Sequence, residues 1–308
     1  MRTLHAALLA ALAVGLSNPG PASSAETPNW EKVGEALGKT GTEMPGGVYR
    51  VGLPRTDLKV ALDGVQLKPS LALGSWLAFQ DMGGGKAMVM GDLVLTESEV
   101  TPVLSKLTEG GIQVTALHNH LLRASPATLY MHVLGHGDAV KLAGVLHGAL
   151  SQSGTPLPQV ASSGGQSGAT GATPAPQLDL DAAMIDQAIG AKGKVNGGVL
   201  QFSVPRGEKI AEKGMEVPPS MGTGEAINFQ PTGSGKAAIT GDFVLTADEV
   251  DPVLQTLRKN GIEITALHSH MLNEQPRLFF MHFWANDDAK KLASGLRAAL
   301  DKVNVAKQ

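Results

Sequence analysis

Two short histidine motifs occur twice in this chain. Ala-Leu-His-x-His and Met-His are found in one segment and again 150 residues later, and together they hold six of the nine histidines. The six are His118, His120 and His132 in the first copy and His268, His270 and His282 in the second. Imidazole nitrogen is a common ligand for zinc and related divalent ions. The repeated set therefore predicts a metal or ligand site in each copy.

Strand geometry predicts that the three histidines of each copy converge. Residues two apart in a strand point to one face, so His118 and His120 share a face. A turn near Ser125 would place His118 opposite His132 on the next strand, with Cβ atoms about 5 Å apart. Three such imidazoles hold a divalent ion, with Zn²⁺ the favoured one, and leave a position open for water or substrate.

The same strand also supports a structural interpretation. Ile112, Val114 and Ala116 lie in phase with His118, so the histidines continue an apolar face. Core or cleft histidines, hydrogen-bonded to the backbone or to each other, fit such a face without a metal. Burying unpaired polar groups is unfavourable, which favours ligand binding for three clustered imidazoles. Both interpretations stay open at this point.

A carboxylate in the second copy is the candidate catalytic residue. Glu274 lies in the predicted turn between the two histidine strands, where it can act as a fourth ligand or as a general base. Its counterpart in the first copy is Ala124, so the first site would lack this group. The alternative is an exposed turn residue, because loops are commonly polar.

Four further paired residues are candidate ligand-binding groups. Asp92 and Asp242 each follow a glycine at the start of a strand, and Arg55 and Arg206 each follow a proline. A guanidinium can bind an anionic ligand or a carboxylate. The alternatives are aspartates bonded to the backbone and arginines in surface ion pairs.

The duplication defines the domain organisation. Lys86–Leu150 aligns with Lys236–Leu300 without a gap. A stretch rich in Gly, Ser, Pro, Ala and Thr separates the copies and is typical of a flexible linker. An N-terminal apolar run followed by small residues predicts a signal peptide. The expected segments are a signal peptide over 1–25, a first repeat domain over 26–150, the linker over 151–177 and a second repeat domain over 178–308.

Each repeat predicts the same order of elements. A short helix and several strands precede a strand–helix–strand–strand–helix series that carries the histidines. Capping boxes that begin at Thr96 and Thr246 mark the start of the middle helix, and Asp138 and Asp288 mark the start of the last. The predicted fold class is α+β, a tandem repeat of two ferredoxin-like-related βαββα units with additional N-terminal strands and antiparallel sheets.

Composition limits the classes of binding partner and the cellular compartment that we expect for this protein. The 308-residue chain has a formal net charge of −3 and no basic stripe, which argues against nucleic acid as a partner. It has no cysteine, so a bound metal must use nitrogen or oxygen ligands. No apolar stretch is long enough for a transmembrane segment. Together with the signal peptide, this predicts a periplasmic or secreted protein whose partner is a small-molecule or envelope ligand.

Four motifs carry a resemblance to a known family. Gly-Asp-[Leu/Phe]-Val-Leu-Thr, Glu-Val-x-Pro-Val-Leu, Gly-Ile-x-[Val/Ile]-Thr-Ala-Leu-His-x-His and Pro-x-x-x-x-Met-His resemble the LppY/LpqO family, a bacterial and largely exported domain family. The resemblance covers both repeats and implies an exported protein with two tandem copies. The first repeat departs from the family pattern at Ala124 and Ala127. The resemblance implies no reaction, so the functional argument rests on the histidines.

Three functions are consistent with these observations. The first is an exported protein that binds a divalent metal or a small ligand through its histidine sets. The second is a metal-dependent hydrolase that acts on an envelope or extracellular substrate, with Glu274 as the base. The third is a non-catalytic structural or interaction module with core histidines. The sequence alone does not decide whether the chain is an enzyme.

Overall fold

The computed structural model describes residues 27–157 and 178–306. The predicted signal peptide and residues 158–177 of the predicted linker lie outside these ranges. The first seven linker residues are described and pack on the first repeat. The backbone N–H of Gly154 donates to the carboxylate of Glu99, and Thr155 is buried.

The first repeat contains four helices and eight strands. In chain order they are α1 (Trp30–Leu37), β1 (Thr42–Met44), β2 (Val48–Pro54), β3 (Ala61–Leu62), β4 (Val65–Gln66), α2 (Pro69–Ala72), β5 (Gly74–Gly83), β6 (Lys86–Leu95), α3 (Glu97–Glu109), β7 (Gln113–His118), β8 (Leu129–Asp138) and α4 (Ala139–Leu150).

The second repeat follows the same order, with a 3₁₀ turn over Pro219–Met221 in the place of α2 and one additional short strand. Its elements are α5 (Ala182–Ile189), β9 (Lys194–Asn196), β10 (Val199–Pro205), β11 (Ala211–Glu212), β12 (Met215–Glu216), β13 (Gly224–Gly233), β14 (Lys236–Leu245), α6 (Ala247–Lys259), β15 (Glu263–His268), β16 (Glu274–Gln275), β17 (Phe279–Asp288) and α7 (Ala289–Leu300).

Each repeat is built on one six-stranded antiparallel sheet. The strand orders are β1-β2-β5-β6-β8-β7 and β9-β10-β13-β14-β17-β15. In both sheets the last strand of the βαββα series lies between the other two, so that β8 separates β6 from β7 and β17 separates β14 from β15. The predicted α+β class, the antiparallel sheets and the two similar halves are confirmed.

The helix starts follow the local sequence signals. Thr96 and Glu99 form a capping box at α3, and Thr246 and Glu249 form the same box at α6. The carboxylate of Asp138 accepts the N–H of Lys141 at the start of α4, and α7 has the same cap. Within the described ranges, none of the helices has the length and apolar run that a membrane crossing requires.

One face of each sheet packs against the helices of its own repeat. In the first repeat, Val33, Leu107 and Leu146 from α1, α3 and α4 bury their side chains against Phe79 and Val89 of the sheet. The second repeat has an equivalent core between its own helices and its sheet. Each repeat therefore has its own hydrophobic layer, and burial of that apolar surface is a main source of its stability.

The other face of each sheet packs against both repeats, and each arm contacts the opposite sheet as well as its own. We call residues 58–73 the first arm and residues 208–223 the second arm. In the first arm, Leu67 and Leu71 pack with Ala238 and Trp284 of the second sheet. The second arm packs in the same way, and Val217 and Met221 lie in one cluster with Ala78, Met88 and Met90 of the first sheet.

Hydrogen bonds fix the exchanged arms in place. The side chain of Gln230 accepts the backbone N–H of Lys68 at 2.8 Å and donates to the carbonyl of Gln66 at 2.8 Å. The indole N–H of Trp284 donates to Asp63 at 3.0 Å. Arg123 bridges Asp63 and Glu263 across the two repeats. The two repeats are therefore interlocked, and each one helps to cover a face of the other's sheet.

The register of the histidine hairpin differs from the predicted one. His132 pairs with Ala116, and His118 pairs with Tyr130. The strand β7 also ends at His118, so His120 lies beyond it. The prediction that His118 faces His132 directly was wrong by two residues, because the hairpin is centred on Ala124 rather than on Ser125.

A β-bulge changes the phase of the same strand. The pairing of β7 with β8 shifts between Val114 and Ala116, and β15 has the equivalent shift between Ile264 and Ala266. The extra residue reverses the alternation, because it inserts one position into only one of the two strands. Val114 thus packs in the helix layer, whereas His118 is on the face toward the second repeat. The expectation that both share one apolar face was wrong.

Gly241 offers a test of the tight sheet packing that supports this arrangement. A Cβ atom at Gly241 would lie 1.9 Å from the carbonyl oxygen of Ala226 on β13. We expect Gly241→Ala to lower the free energy of unfolding by about 1–3 kcal/mol or more, since the strands must separate to admit the methyl group. Urea unfolding of the full chain measures this change.

Gly144→Ala is the matched control. Gly144 lies in α4, and a Cβ atom added there would have no heavy atom within 4 Å. Alanine is the better helix former by about 1 kcal/mol, so this variant should be unchanged or more stable. Equal stability of the two variants would contradict the packing described for β13 and β14.

Candidate functional site

The six histidines of the repeated motifs form one group at the junction of the two repeats, which we call the histidine cluster. Three ring pairs cross the junction, each with one ring from either repeat. Their centroid distances are 3.6 Å for His118–His268, 3.6 Å for His120–His282 and 3.7 Å for His132–His270. The sequence predicted two sets of three, and the fold combines them into a single shared site.

The bulges in the edge strands hold the two halves of the cluster together. β7 and β15 are edge strands of their sheets, and they lie next to each other. The hydroxyl of the bulged residue Thr115 donates to the carbonyl of His270, and that of Thr265 donates to the carbonyl of His120. These reciprocal bonds place each His-x-His segment against the other repeat.

Aromatic rings support the outer histidines. The ring of His120 stacks on Tyr130 at 3.4 Å between centroids, and that of His270 stacks on Phe280 at 3.4 Å. Tyr130 is itself fixed by a 2.7 Å hydrogen bond from its hydroxyl to the carbonyl of Ala72 in the first arm. The imidazoles therefore have defined orientations before any ligand binds.

Backbone carbonyls orient the histidines of the central strands. Nδ1 of His282 is 2.9 Å from the carbonyl oxygen of Gly241, and the backbone of Gly91 stabilises the imidazole of His132. A carbonyl can only accept, so Nδ1 of His282 carries the proton and its Nε2 keeps the lone pair. This is the arrangement in which proteins present imidazole to a metal.

Burial keeps the imidazoles uncharged. Desolvation lowers the pKa of His118 to about 4 and that of His282 to about 3. It also lowers the pKa values of His120, His132 and His270 far below the usual range, and the neighbouring histidines add to the effect. All these rings are therefore neutral at pH 7, with a free lone pair on one nitrogen each.

Two aspartates lie beside the cluster on the side of the cavity. Asp92 Oδ2 is 3.6 Å from His120 Nε2, and Asp242 Oδ2 is 3.4 Å from His270 Nε2. These distances are longer than those of well-formed hydrogen bonds. Burial raises the pKa of Asp92 to about 7 and raises that of Asp242 well above its usual range, with a further contribution from the charge of Asp92.

Many polar atoms of the cluster have no hydrogen-bond partner among the described residues. Eight imidazole nitrogens and one carboxylate oxygen of each aspartate are buried without such a partner. The nitrogens are Nδ1 and Nε2 of His118 and His268 and Nε2 of His120, His132, His270 and His282. Proteins rarely leave buried polar groups unpaired, and such a concentration at one place marks a site built to bind something.

Two overlapping histidine groups have ligand atoms close enough to hold an ion. One is His118, His120 and His132, and the other is His118, His268, His270 and His282. Within each group the ligand atoms lie within 4.8 Å of one another. His118 belongs to both, so the two groups are parts of one centre.

A cavity of about 910 Å³ opens onto the cluster. Asp92, Asp242 and four of the six histidines lie in its wall. Arg50 and Trp76 line it as well, with the guanidinium 4.2 Å from the centroid of the indole ring. The volume is within the range of small-molecule sites, so a ligand can reach the histidines from this side.

Glu274 is placed differently from the sequence-based expectation. It is buried, and its backbone pairs with that of Glu212 where strand β16 joins strand β11 of the second arm. Its carboxylate accepts the backbone N–H of Leu278 at 3.1 Å and contacts Arg277 at 3.2 Å. Glu274 neither belongs to the two histidine groups nor lines the cavity. Its catalytic role stays a prediction.

Arg55 and Arg206 are buried rather than part of the cavity wall. Arg55 pairs with Asp57 and with Glu99, both at 2.8 Å. Arg206 makes the equivalent pairs with Glu208 and Glu249. The guanidinium groups thus bind the glutamates that cap α3 and α6, and the protein itself supplies their anionic partners.

The sequence analysis missed Arg50, Trp76 and Tyr130. Comparison of the repeats could not reveal them, because Gln201, Ala226 and Phe280 occupy the equivalent positions. The two aspartates were detectable because the Gly-Asp pair is repeated.

The lowered histidine pKa values predict acid destabilisation of the metal-free protein. The unfolded chain takes up protons on histidine near pH 6.5, whereas the folded cluster resists protonation until much lower pH. Stability is therefore complete above about pH 6.5 and falls as the pH drops toward 4. The raised pKa values of the two aspartates act in the opposite direction, but six histidines outweigh them.

Urea unfolding of chelator-treated protein between pH 4.5 and pH 8 measures this dependence. The double variant His118→Gln/His268→Gln should show a shallower fall, because two of the titrating rings are removed. A free energy of unfolding that stays constant across this range in the unmodified chain would contradict the assignment of neutral, buried imidazoles.

Comparisons with known proteins give a family but no function. No curated protein matches the chain. Among solved structures, the trimeric bacterial microcompartment shell protein PduB is similar at 11% identity over 85% of this chain and 89% of its own, with a TM-score of 0.20. EtuB from Clostridium kluyveri gives 9% identity, 85% and 90% coverage and a TM-score of 0.20. Scores this low carry no argument about fold or function.

The family comparison covers most of the chain. Residues 31–152 and 183–302 each match one family model, which agrees with the two structural repeats. The chain belongs to the family described as Domain of Unknown Function (DUF1259), in two tandem copies.

Proposed function

We propose that the histidine cluster binds divalent metal ions at a centre shared by the two repeats. The observation that carries this proposal is the set of eight buried imidazole nitrogens without a hydrogen-bond partner in the described protein. A purely structural cluster would leave these groups unsatisfied, at a free-energy cost of about 1–3 kcal/mol for each buried group. A cation satisfies several lone pairs at once.

The donor set favours zinc or a similar ion. Neutral imidazole suits Zn²⁺, and a carboxylate oxygen is a further acceptable ligand. Two ligands about 2.0–2.2 Å from a tetrahedral ion are separated by about 3.3–3.6 Å. The 3.6 Å from Asp92 to His120 and the 3.4 Å from Asp242 to His270 are of this size. Neither aspartate belongs to the two histidine groups, so we assign the ion to the histidines and place the carboxylates beside it.

A second candidate function is metal-dependent hydrolysis. The observation that favours it is the cavity, whose wall exposes both aspartates and four histidines to a bound molecule. A metal ion at this place supplies Lewis-acid activation of a carbonyl or phosphoryl group and a more acidic bound water. Asp92 lies in the cavity wall 3.6 Å from His120, where its carboxylate can act as a general base toward a bound water.

Three finer assignments accompany this proposal. Export to the periplasm or the exterior is supported by the N-terminal apolar run with small residues. Membership of the LppY/LpqO group is supported by the repeated motifs. A relation of each βαββα unit to the ferredoxin-like fold is supported by the position of β8 between β6 and β7.

Elemental analysis tests the metal centre directly. We expect the mature protein, purified without a histidine tag, to hold about one or two divalent ions per chain, as the ligand groups allow. The double variant His268→Ala/His270→Ala should lose them, because it removes two ligands from the larger group. Zn²⁺ should also raise the thermal unfolding midpoint of the unmodified chain and leave that of the double variant unchanged.

His136→Ala controls for adventitious binding, since His136 is an exposed histidine outside the cluster. It should retain the full metal content. If the unmodified protein holds no ion and shows no thermal shift with Zn²⁺, Cu²⁺ or Mn²⁺, the proposal fails. A His268→Ala variant that loses stability equally with and without metal would then favour the structural module.

Paired carboxylate variants test the hydrolytic function. With p-nitrophenyl acetate and p-nitrophenyl phosphate as probes, we expect Asp92→Asn to lower kcat by at least a hundredfold, because a general base contributes about 10²–10⁴ in rate. Glu274→Gln should keep activity, since Glu274 lies outside the cavity wall. Loss of turnover in Glu274→Gln with the metal retained would restore Glu274 as the base.

A further inference from the structure

Arg50 lines the cavity but has no role in the proposed metal centre. It lies on β2, it lines the cavity, and its guanidinium rests on the indole ring of Trp76. One of its N–H groups donates to the carbonyl of Ser220 in the second arm. This contact could be read as the reason for the residue, because it helps to hold the arm.

The equivalent residue of the second repeat shows that the contact does not need a charge. Gln201 occupies the same place on β10, and its Nε2 donates to the carbonyl of Ser70 in the first arm at 2.7 Å. A neutral amide therefore makes the same bond between repeats. Burying a charge is unfavourable because the charge loses its hydration. The positive charge of Arg50 therefore has a role other than this contact.

No protein carboxylate neutralises Arg50 directly. In the described part of the chain, no Asp or Glu oxygen lies within 4.0 Å of its guanidinium, in contrast to the fully paired Arg55. Desolvation lowers the pKa of Arg50 to about 10, so the group is still charged at pH 7. Arg50 lies over Trp76, whose strand partner is Asp92, so the guanidinium is on the side of the cavity next to the cluster.

The rest of the cavity wall leaves this charge available. Asp92 and Asp242 are the only acidic residues among the described lining residues, and both lie beside the histidines. Lys192, at the rim, is already paired with Asp186 at 2.6 Å. The guanidinium lies over the indole ring of Trp76, and that ring also lines the cavity next to the donors of Arg50. An oxyanion attached to an apolar or aromatic body matches both groups.

We propose that the cavity binds a small organic oxyanion, a carboxylate or phosphate ester, through Arg50, with its apolar body against Trp76 and its other end toward the histidine cluster. The Arg50 subsite itself needs no metal ion. Its role in holding a substrate of the metal centre rests on the proposed function. In that role, the subsite defines the class of ligand as an organic oxyanion.

Calorimetric titration of the full chain tests the subsite with three probes: benzoate, phenyl phosphate and inorganic phosphate. Each is titrated into chelator-treated protein and into zinc-loaded protein. We expect at least one aromatic probe to bind in both states. Arg50→Gln should weaken that binding tenfold or more, because it keeps the contact to the second arm and removes only the charge. Benzoate and phenyl phosphate distinguish a carboxylate from a phosphate ligand.

Gln201→Ala is the matched control, since it changes another residue of the cavity wall and removes the equivalent contact to the first arm but keeps the charge of Arg50. Its affinity for the probes should stay within twofold of the unmodified chain. Thermal unfolding verifies that each variant is folded, and Arg50→Lys replaces Arg50→Gln if the latter is not. Arg50→Lys should weaken binding less than loss of the charge, since lysine keeps the charge without the planar fork.

Three outcomes would overturn the inference. The first is no binding of any probe to the unmodified chain in either metal state. The second is equal affinity in Arg50→Gln or, where that variant is unfolded, unchanged affinity in Arg50→Lys. The third is binding to zinc-loaded protein alone that Arg50→Gln does not change, which would place the anion on the ion. Anion binding in a chain that holds no metal would support the subsite while the proposed metal centre failed, so the two failures are distinguishable.

Discussion

The exchange of arms between the repeats is the constraint on which the rest of the structure depends. Each sheet carries helices of its own repeat on one face, and the opposite face is apolar as well. An apolar sheet face left in water is unfavourable, and here the arms of both repeats and the opposite sheet cover it. The two arms cross reciprocally, so the halves are held in one relative position. The histidine cluster exists because this position brings the edge strands β7 and β15 together.

The site combines this rigid junction with an unusual concentration of unpaired polar groups. Six neutral imidazoles and two carboxylates occupy a region where burial disfavours every charged form. Bulged threonines, stacked aromatic rings and glycine carbonyls fix the ring orientations from several directions. Such preorganisation lowers the entropic cost of binding, since the ligand atoms are already in place. The cavity gives access to the cluster from the side where Asp92 and Asp242 lie.

The two repeats are similar in fold but not in the lining of the cavity. Arg50 and Trp76 of the first repeat line the cavity, whereas the uncharged Gln201 and the smaller Ala226 line it at the equivalent positions of the second. A duplicated framework with an approximate twofold arrangement can bind ions symmetrically and still hold an asymmetric ligand in one orientation. The histidines, which are repeated in both halves, form the symmetric ion site. The wall residues that differ between the repeats set the orientation of the ligand.

Much of this protein follows from local sequence. The duplication, the helix starts at Thr96 and Asp138, the α+β class and the identity of the histidines were all readable, because each depends on periodicity or on contacts within a few residues. The placement of the site was not. A single inserted position at Thr115 moved His118 to the opposite face from Val114, and nothing in the local pattern marks such a bulge.

The tertiary structure alone decided that two sets of three histidines form one centre, that Glu274 lies outside it and that Arg50 enters the cavity. These features depend on contacts between residues about 150 positions apart, which only the packing of one repeat on the other creates.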